Sequence, residues 1–148
     1  MKHEHWMRLA LQEAKKAFSL DEVPIGAVIV QEGQIIALTC NQKERDQDPT
    51  AHAELLAIRE AAAKLGHWRL TDATLYVTLE PCPMCAGAIV QARIKHLVYG
   101  AADPKSGAVD SVVKLLQDNL WNHRVEITAG VLEEECSSLL KEFFRRKR

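Results

Sequence analysis

The sequence predicts an α/β protein in which a mixed sheet of about five strands carries helices on both faces, a three-layer α/β/α architecture. Segments rich in β-branched residues alternate along the chain with segments whose apolar residues recur at helical spacing. The first two strand segments are separated by Glu32-Gly33, which reads as a hairpin turn. This hairpin makes the sheet mixed rather than purely parallel.

In the amino-terminal half, helical spacing and helix boundary signals define the elements. Apolar residues at helical spacing open the chain: Trp6, Leu9, Ala10, Ala14 and Ala17. Asp48-Pro49-Thr50 signals the start of a second helix, and Gly66 would end it. The predicted elements are therefore a helix over 4–19, strands over 24–30 and 34–40, and a helix from the 48–50 signal to Gly66.

In the carboxy-terminal half, Pro83 can occupy the first turn of a helix. An amphipathic pattern near the end of the chain places Leu139, Leu140, Phe143 and Phe144 on one apolar side. The predicted elements are strands over 74–79, 94–99 and 124–128, helices over 83–92 and 132–146, and a segment over 109–116 that we expect to be helical.

Length and composition indicate an ordinary globular chain. The 148 residues fit one domain spanning 1–148, with 47% hydrophobic and 26% charged residues. No apolar run approaches the roughly 18 residues that a bilayer crossing needs, and the first six residues contain no apolar signal-peptide core. We therefore expect a cytoplasmic protein without membrane association, in which cysteines serve metal binding or redox chemistry rather than disulfides.

The charge distribution is more informative than the net charge. A net charge of −1 does not indicate nucleic acid binding. The last four residues, Arg145, Arg146, Lys147 and Arg148, are all cationic. Taken alone, this cluster is best explained as complementing a helix dipole and solvating the chain end.

His52, Cys82 and Cys85 are the most informative residues of the chain. They are ligands that zinc prefers, and three protein ligands leave the fourth tetrahedral position open, as in catalytic sites. Cys82 and Cys85 are three positions apart at a predicted helix start, where the helix dipole favours thiolates. Glu54, two residues after His52, is suited to moving protons beside a metal. His52 and Glu54 can reach one pocket only at a helix end, since positions i and i+2 do not share a helix face.

Two other interpretations of these residues are open. A C-x-x-C pair is also typical of thioredoxin-like redox sites, but a redox pair gives no reason for His52 and Glu54. A closed structural zinc site would need a fourth ligand, for which Cys40 and Cys136 are the candidates. Cys136 falls in an amphipathic helix and is expected to pack as a small apolar residue.

The combination of His52-Ala53-Glu54 with Pro81-Cys82-Pro83-Met84-Cys85 matches the established signature of zinc deaminases that act on nucleobases. Over nearly its whole length the chain resembles the bacterial tRNA-specific adenosine deaminases of the cytidine-deaminase-like superfamily. Further segments that carry the resemblance are 22–27, Asn41, 48–54, 75–82, 84–88, Asp103 with Lys105 and Gly107, 122–125 and 143–145. The zinc motifs belong to the whole superfamily, whereas the other segments indicate the tRNA branch.

The resemblance implies an enzyme that hydrolyses adenosine to inosine at the wobble position of a tRNA anticodon stem-loop, with an arginine tRNA as substrate. It implies one zinc ion per subunit, bound by His52, Cys82 and Cys85, with Glu54 as the catalytic proton carrier. It also implies a cytidine-deaminase-like fold and a homodimer. The substrate-binding residues it implies are Asn41, Asp103, Lys105, Asn122, Phe144 and Arg145.

Simpler explanations exist for several of these residues. Asn41 follows a strand and Asp103 precedes a proline, as turn residues often do. At least one of Phe143 and Phe144 is expected in the core rather than against a base. Two other functions also fit the motifs. One is a deaminase of a free base or nucleoside such as guanine or cytosine, and the other is a zinc-stabilised binding domain, which would have no use for Glu54.

Overall fold

The computed structural model describes residues 3–117 and 120–147. Five helices and five strands are found in these residues, and they alternate much as the sequence predicts. In chain order they are α1 (His3–Ser19), β1 (Gly26–Gln31), β2 (Gln34–Cys40), α2 (Lys43–Asp46), α3 (Ala53–Leu65), β3 (Thr74–Leu79), α4 (Pro83–Gln91), β4 (His96–Ala101), β5 (Glu126–Ala129) and α5 (Glu133–Lys147).

The five strands form one mixed sheet in the order β2-β1-β3-β4-β5. β1 is antiparallel to both β2 and β3, whereas β3, β4 and β5 run parallel. Glu32 and Gly33, at the β1–β2 turn, both have positive φ, which is the backbone twist that a two-residue hairpin favours. The predicted α/β fold with a mixed five-stranded sheet is therefore confirmed.

Helices cover the sheet on both faces and bury two apolar clusters. α3 and α4 lie side by side over one face, where Ala57, Leu75, Val77 and Ile89 are buried. α1 and α5 cover the other face, around Met7 and Val98 among others. None of the helices in the described ranges combines the length and apolar character that a bilayer crossing requires.

One edge of the sheet collects the residues that the sequence singles out. Because β1 and β2 are antiparallel and β3 and β4 parallel, the start of β1 and the ends of β2, β3 and β4 share this edge. Asn41 follows β2, Cys82 follows β3 and Asp103 follows β4. α3 and α4 both begin here, as expected for α/β sites at strand ends.

The helix expected over 109–116 is wrong. The segment consists of turns: Glu80 accepts the N–H groups of residues 109–111, and the N–H groups of Val112 and Leu115 donate to the carbonyls of Gly107 and Ala108 instead of to carbonyls four residues earlier. Such a distant acceptor cannot be read from local apolar spacing.

The other differences are small. α3 starts at Ala53, because Asp48 Oδ1 accepts the N–H of Thr50 in a turn that precedes the helix. The short helix α2 was not anticipated. Strands β1, β4 and β5 each begin two residues later than predicted. Arg148, part of the basic chain end, lies outside the described residues.

Candidate metal centre and substrate cleft

The N-termini of α3 and α4 position the three candidate metal ligands. His52 is the N-cap residue of α3, and Cys82 is the N-cap residue of α4. Both have extended backbone angles, with φ of −79° and −77°, so that their side chains can turn over the helix ends. Pro83 occupies the first helical turn of α4 without losing a needed hydrogen bond. Cys85 follows in the same turn and is fully buried.

The distances between the ligand atoms suit a tetrahedral metal. His52 Nδ1 lies 3.7 Å from Cys82 Sγ and 3.5 Å from Cys85 Sγ. All three ligand atoms lie within 4.8 Å of one another. Zinc with bonds of about 2.3 Å to sulfur and about 2.0–2.1 Å to nitrogen would hold such atoms roughly 3.6 Å apart. The residues therefore fit a zinc ion, and this donor set leaves one position open.

The two thiols of the cluster differ in acidity. The Cys85 thiol donates to Cys82, and His52 and the Cys85 N–H also face this sulfur, which together lower the pKa of Cys82 to about 4. The same contact with Cys82, together with burial, raises the pKa of Cys85. The cluster therefore offers a thiolate in advance, and metal uptake would release the second proton.

Glu54 lies beside the cluster and is 4% exposed. Its Oε1 has no hydrogen-bond partner, and among residues 3–117 and 120–147 it is the one buried side-chain oxygen or nitrogen in that condition. Burial raises the pKa of Glu54 to about 7, against a smaller opposing effect from its own backbone N–H. A buried carboxylate with an open oxygen and such a pKa is suited to proton transfer near neutral pH.

The remaining cysteines do not join the cluster. The metal-binding group found among the described residues contains His52, Cys82 and Cys85, without Cys40 or Cys136. None of the four cysteines forms a disulfide. Cys136 belongs to α5 and is buried next to Gly100, as expected for an apolar packing residue. Burial raises the pKa of Cys40 and of Cys136, which disfavours the thiolate that a metal requires.

A cleft of about 560 Å³ is lined by Asn41, Lys43 and Phe144 among others, and by none of the cluster residues. Asn41 links the two, because it lines the cleft while its Oδ1 accepts the N–H of Ala53 at 2.8 Å. Phe143 and Phe144 lie on the opposite side of the cleft, on α5. Phe144 is 48% exposed, whereas Phe143 is 6% exposed and packs edge-on against Phe18. One of the two phenylalanines is thus in the core, as expected, and the other is accessible to a ligand.

The other residues expected to bind substrate occupy different places. Asp103 and Lys105 lie in the loop after β4, where Asp103 Oδ1 accepts the N–H of Lys105. Arg145 is exposed and forms a two-oxygen ion pair with Glu142 at 2.6 and 2.7 Å. Asn122 is exposed and precedes His123, whose Nε2 contacts the carbonyl of Ile94 near the start of β4. Asn122 is not among the residues that line the cleft.

The sequence did not assign several residues a role in the site. Lys43, Arg45 and Lys147 line the cleft, and Lys147 pairs with Asp21 at 2.5 Å. Glu22 is 1% exposed, and its carboxylate accepts the N–H groups of Glu44 and Arg45, which fixes α2 beside Asn41. The available signal was a lone glutamate beside apolar residues, which does not reveal its partners.

Comparisons with known proteins identify close relatives. A family model described as MafB19-like deaminase matches residues 1–148, the whole chain. The tRNA-specific adenosine deaminase of Bacillus subtilis (strain 168) is 54% identical over 145 residues, which cover 98% of this chain and 90% of that protein.

Solved structures of deaminases are also similar to this chain. One, from a study of A-to-I editing by tRNA:A34 deaminases at the wobble position of transfer RNA, has a TM-score of 0.89 and 50% identity, covering 92% of this chain and 99% of that chain. A guanine deaminase from Nitrosomonas europaea has a TM-score of 0.84 and 25% identity, covering 96% of this chain and 84% of that chain. Both share the fold, but the tRNA deaminase is twice as similar in sequence.

Proposed function

Since the chain belongs to the family of tRNA-specific adenosine deaminases, we propose that it hydrolyses adenosine to inosine at the wobble position of a tRNA anticodon, with an arginine tRNA as substrate. The observation that carries this proposal is the buried Glu54 carboxylate, with its unpartnered oxygen, beside the His52–Cys82–Cys85 cluster. A structural metal site would have no use for that carboxylate. We place the reaction in the cytoplasm, where tRNA is used.

His52, Cys82 and Cys85 would hold one zinc ion per subunit through Nδ1 and the two sulfurs. When bound, zinc acts as a Lewis acid that makes water a nucleophile near neutral pH. The chain contributes two helix N-termini, whose dipoles stabilise the thiolates, and an enclosed surrounding for the cluster.

Glu54 would carry the protons of the reaction. It accepts a proton from the attacking water and delivers it to N1 of adenine as the water oxygen adds to C6. It then takes the remaining proton of the hydroxyl added at C6 and passes it to the exocyclic amine, so that the C6 carbonyl forms as the C6–N6 bond breaks. Adenosine and water thus give inosine and ammonia. The unpartnered Oε1 supports this role, because an oxygen already bound to protein donors would have to exchange partners at each step.

The cleft supports a tRNA rather than a free base as substrate. Its volume of about 560 Å³ exceeds what a purine base needs, and it contains the exposed Phe144 as well as Lys43 and Arg45. Bases of a single-stranded loop are recognised by stacking on aromatic rings and by cations along their backbone. An anticodon stem-loop presents its wobble base unpaired, so that extrusion into the site costs little.

We assign the substrate contacts by resemblance and by placement. Asn41 would hydrogen-bond the adenine, because it lies between the cluster and the cleft. Phe144 and Arg145 would contact flanking nucleotides. Asp103, Lys105 and Asn122 would contact neighbouring sugar and phosphate groups.

We also propose a homodimer. Exposed apolar side chains gather around α4 and the turns that follow β4, and they include Met84, Val112, Val113 and Trp121, which are 37–55% exposed. Trp121 and Leu115 flank the outer side of α4 next to Gly87. An apolar surface of this kind is typical of a subunit interface.

The test is editing of an unmodified arginine tRNA transcript with adenosine at the wobble position. Inosine is read as guanosine on reverse transcription, so sequencing measures it directly. We expect editing at that position alone and none with Glu54→Ala, whereas Glu60→Ala, which alters an exposed glutamate of the same helix, should edit normally. Free guanine, cytosine and adenosine serve as competing substrates. Ammonia release from one of them, without tRNA editing by the zinc-loaded protein, would overturn the proposal.

The two phenylalanines test the RNA contact. Phe144→Ala should weaken binding of the anticodon stem-loop about tenfold, because stacking on one base contributes on the order of 1–3 kcal/mol. It should leave the thermal stability almost unchanged. Phe143→Ala should lower the thermal stability and leave binding of the stem-loop almost unchanged, since Phe143 is buried. Equal effects of both substitutions on binding would contradict the assigned contact.

A further inference from the structure

Glu80 is a buried carboxylate that the proton transfers do not use. It lies between the end of β3 and the metal-ligand segment that begins at Pro81, and it is 2% exposed. Five donors converge on it. Oε2 accepts the N–H groups of Val109, Asp110 and Ser111 at 3.0, 2.7 and 3.0 Å. Oε1 accepts the N–H of Asp103 at 3.0 Å and the hydroxyl of Ser111 at 2.5 Å.

These contacts fix the loop of residues 102–111, which we call the Glu80 loop. Asp103 Oδ1 in turn accepts the N–H groups of Lys105 and Ser106. The position of Asp103, which Glu80 fixes, therefore determines the conformation of the first half of the loop. The N–H of Ala108 donates to the carbonyl of Pro81 at 2.8 Å. The loop is thus attached directly to the residue that precedes Cys82.

Gly107 shows how closely Glu80 fits into the loop. A Cβ at position 107 would collide with Cδ and Oε1 of Glu80 and would lie 2.6 Å from the carbonyl oxygen of Asp103. The absence of a side chain at Gly107 is therefore what allows the carboxylate to reach its donors.

We propose that Glu80 is a positioning residue for RNA recognition. It holds Asp103 and Lys105 at a fixed place relative to Cys82. Their contacts with sugar and phosphate groups of the RNA then place the reacting base correctly at the metal site. The inference rests on the proposed function and specifies how its substrate is held. A carboxylate is required because it only accepts hydrogen bonds, and all of its neighbours here are donors.

Glu80→Gln should affect the two halves of the loop differently. The amide oxygen can still accept the N–H groups of residues 109–111, but the amide nitrogen then faces the N–H of Asp103, where two donors meet. We expect the KM for an anticodon stem-loop to rise about tenfold while kcat changes less than about twofold, as for a loss of uniform substrate binding. The zinc content should equal that of the wild type. Glu60→Gln makes the same chemical change at an exposed site and should alter neither constant.

Amide hydrogen exchange, followed residue by residue by NMR, gives a readout that is independent of activity. In Glu80→Gln the N–H of Asp103 should exchange faster, whereas the N–H groups of residues 109–111 should stay protected. Gly107→Ala pushes against the same carboxylate from the loop side and should raise KM in the same way, with Glu80 intact. It provides a second test if Glu80→Gln does not fold.

The outcomes separate this inference from the proposed function. A wild-type protein that does not edit the stem-loop would contradict the proposed function, and with it the role of Glu80 in RNA recognition. Editing by the wild type, with an unchanged KM in both Glu80→Gln and Gly107→Ala, would overturn only the role of Glu80. A fall in kcat with KM unchanged would also overturn it, because it would assign Glu80 to the chemical step.

Discussion

Glu54 and Glu80 are two buried glutamates, each two residues from a candidate metal ligand, and their hydrogen-bonding surroundings are opposite. Glu80 is saturated by five donors, whereas Glu54 keeps one oxygen without a partner. Burial alone would raise both pKa values. It raises the pKa of Glu54 to about 7, but hydrogen bonds from Asp110, Ser111 and Asp103 outweigh it and lower the pKa of Glu80. The comparison teaches that the surrounding donors, more than burial, decide whether a glutamate can transfer protons or serves to hold a loop.

The largest expected effect is on catalysis at Glu54. Glu54→Gln keeps the size of the side chain but removes its ability to take up a proton, so single-turnover editing should slow about 10³-fold. Zinc content should not change. Metal analysis and quench-flow editing assays measure the two quantities. Editing at more than about a tenth of the wild-type rate would mean that another group carries the protons.

For the free energy of unfolding, in contrast to catalysis, we expect the larger effect at Glu80 and the smaller one at Glu54. Glu80→Gln should lower the free energy of unfolding by about 2 kcal/mol, since the half-buried N–H of Asp103 loses its charged acceptor. Glu54→Gln should leave it unchanged or raise it by up to about 1 kcal/mol, because a poorly solvated carboxylate is removed. Urea unfolding of the zinc-loaded proteins measures both. Equal losses at the two positions would break the comparison.

Ser111→Ala removes one of the five hydrogen bonds to Glu80. It removes one hydroxyl donor and leaves the four backbone donors in place. We expect a loss of about 1 kcal/mol in the free energy of unfolding. A loss as large as that of Glu80→Gln would show that the hydroxyl, rather than the backbone donors, holds the carboxylate.

His96, at the opposite edge of the sheet, extends the comparison to a cationic group and gives the smallest effect. Its Nε2 contacts Thr128 Oγ1 at 2.8 Å, and burial lowers the pKa of the imidazole, helped by nearby His3 and Lys95 and opposed by Glu126. The folded state therefore favours the neutral ring. The unfolded chain takes up a proton near its ordinary pKa, so this contribution is complete above that pKa and is lost as the pH falls below it.

The check is the free energy of unfolding between pH 5 and 8. The wild type should lose more stability towards low pH than His96→Asn, whose side chain does not titrate. Identical pH profiles would show that burial does not act on His96 as it does on Glu54.

The sequence was sufficient to predict the candidate metal cluster, because local signals place each of its ligands at the start of a helix. Cys82 and Cys85 share one helical turn, and His52 begins the other helix that starts at the same sheet edge. The expectation that His52 and Glu54 need a helix end is confirmed, since His52 is the N-cap residue of α3. Strand and helix assignments also succeeded where apolar spacing was long and regular, as in α1 and α5.

What the sequence did not predict depends on contacts between distant segments. In the turns over residues 109–116, Glu80, about thirty positions earlier, accepts the first three N–H groups, and the later ones donate to Gly107 and Ala108. The different burial of Phe143 and Phe144 depends on the packing of α5 against Phe18. The roles of Asn41, Asp103, Lys105, Asn122, Phe144 and Arg145 towards RNA stay predictions.

The hairpin turn at Glu32-Gly33 offers a practical handle on the molecule. Both residues are exposed, and β1 runs from the edge that holds the cluster to the edge where this turn lies. Exposed turns tolerate insertions, and both turn residues here already sit in positive-φ conformations that a short flexible linker can replace. A fluorescent label or an affinity tag introduced at this turn would report or capture the protein while leaving the opposite rim of the sheet unobstructed.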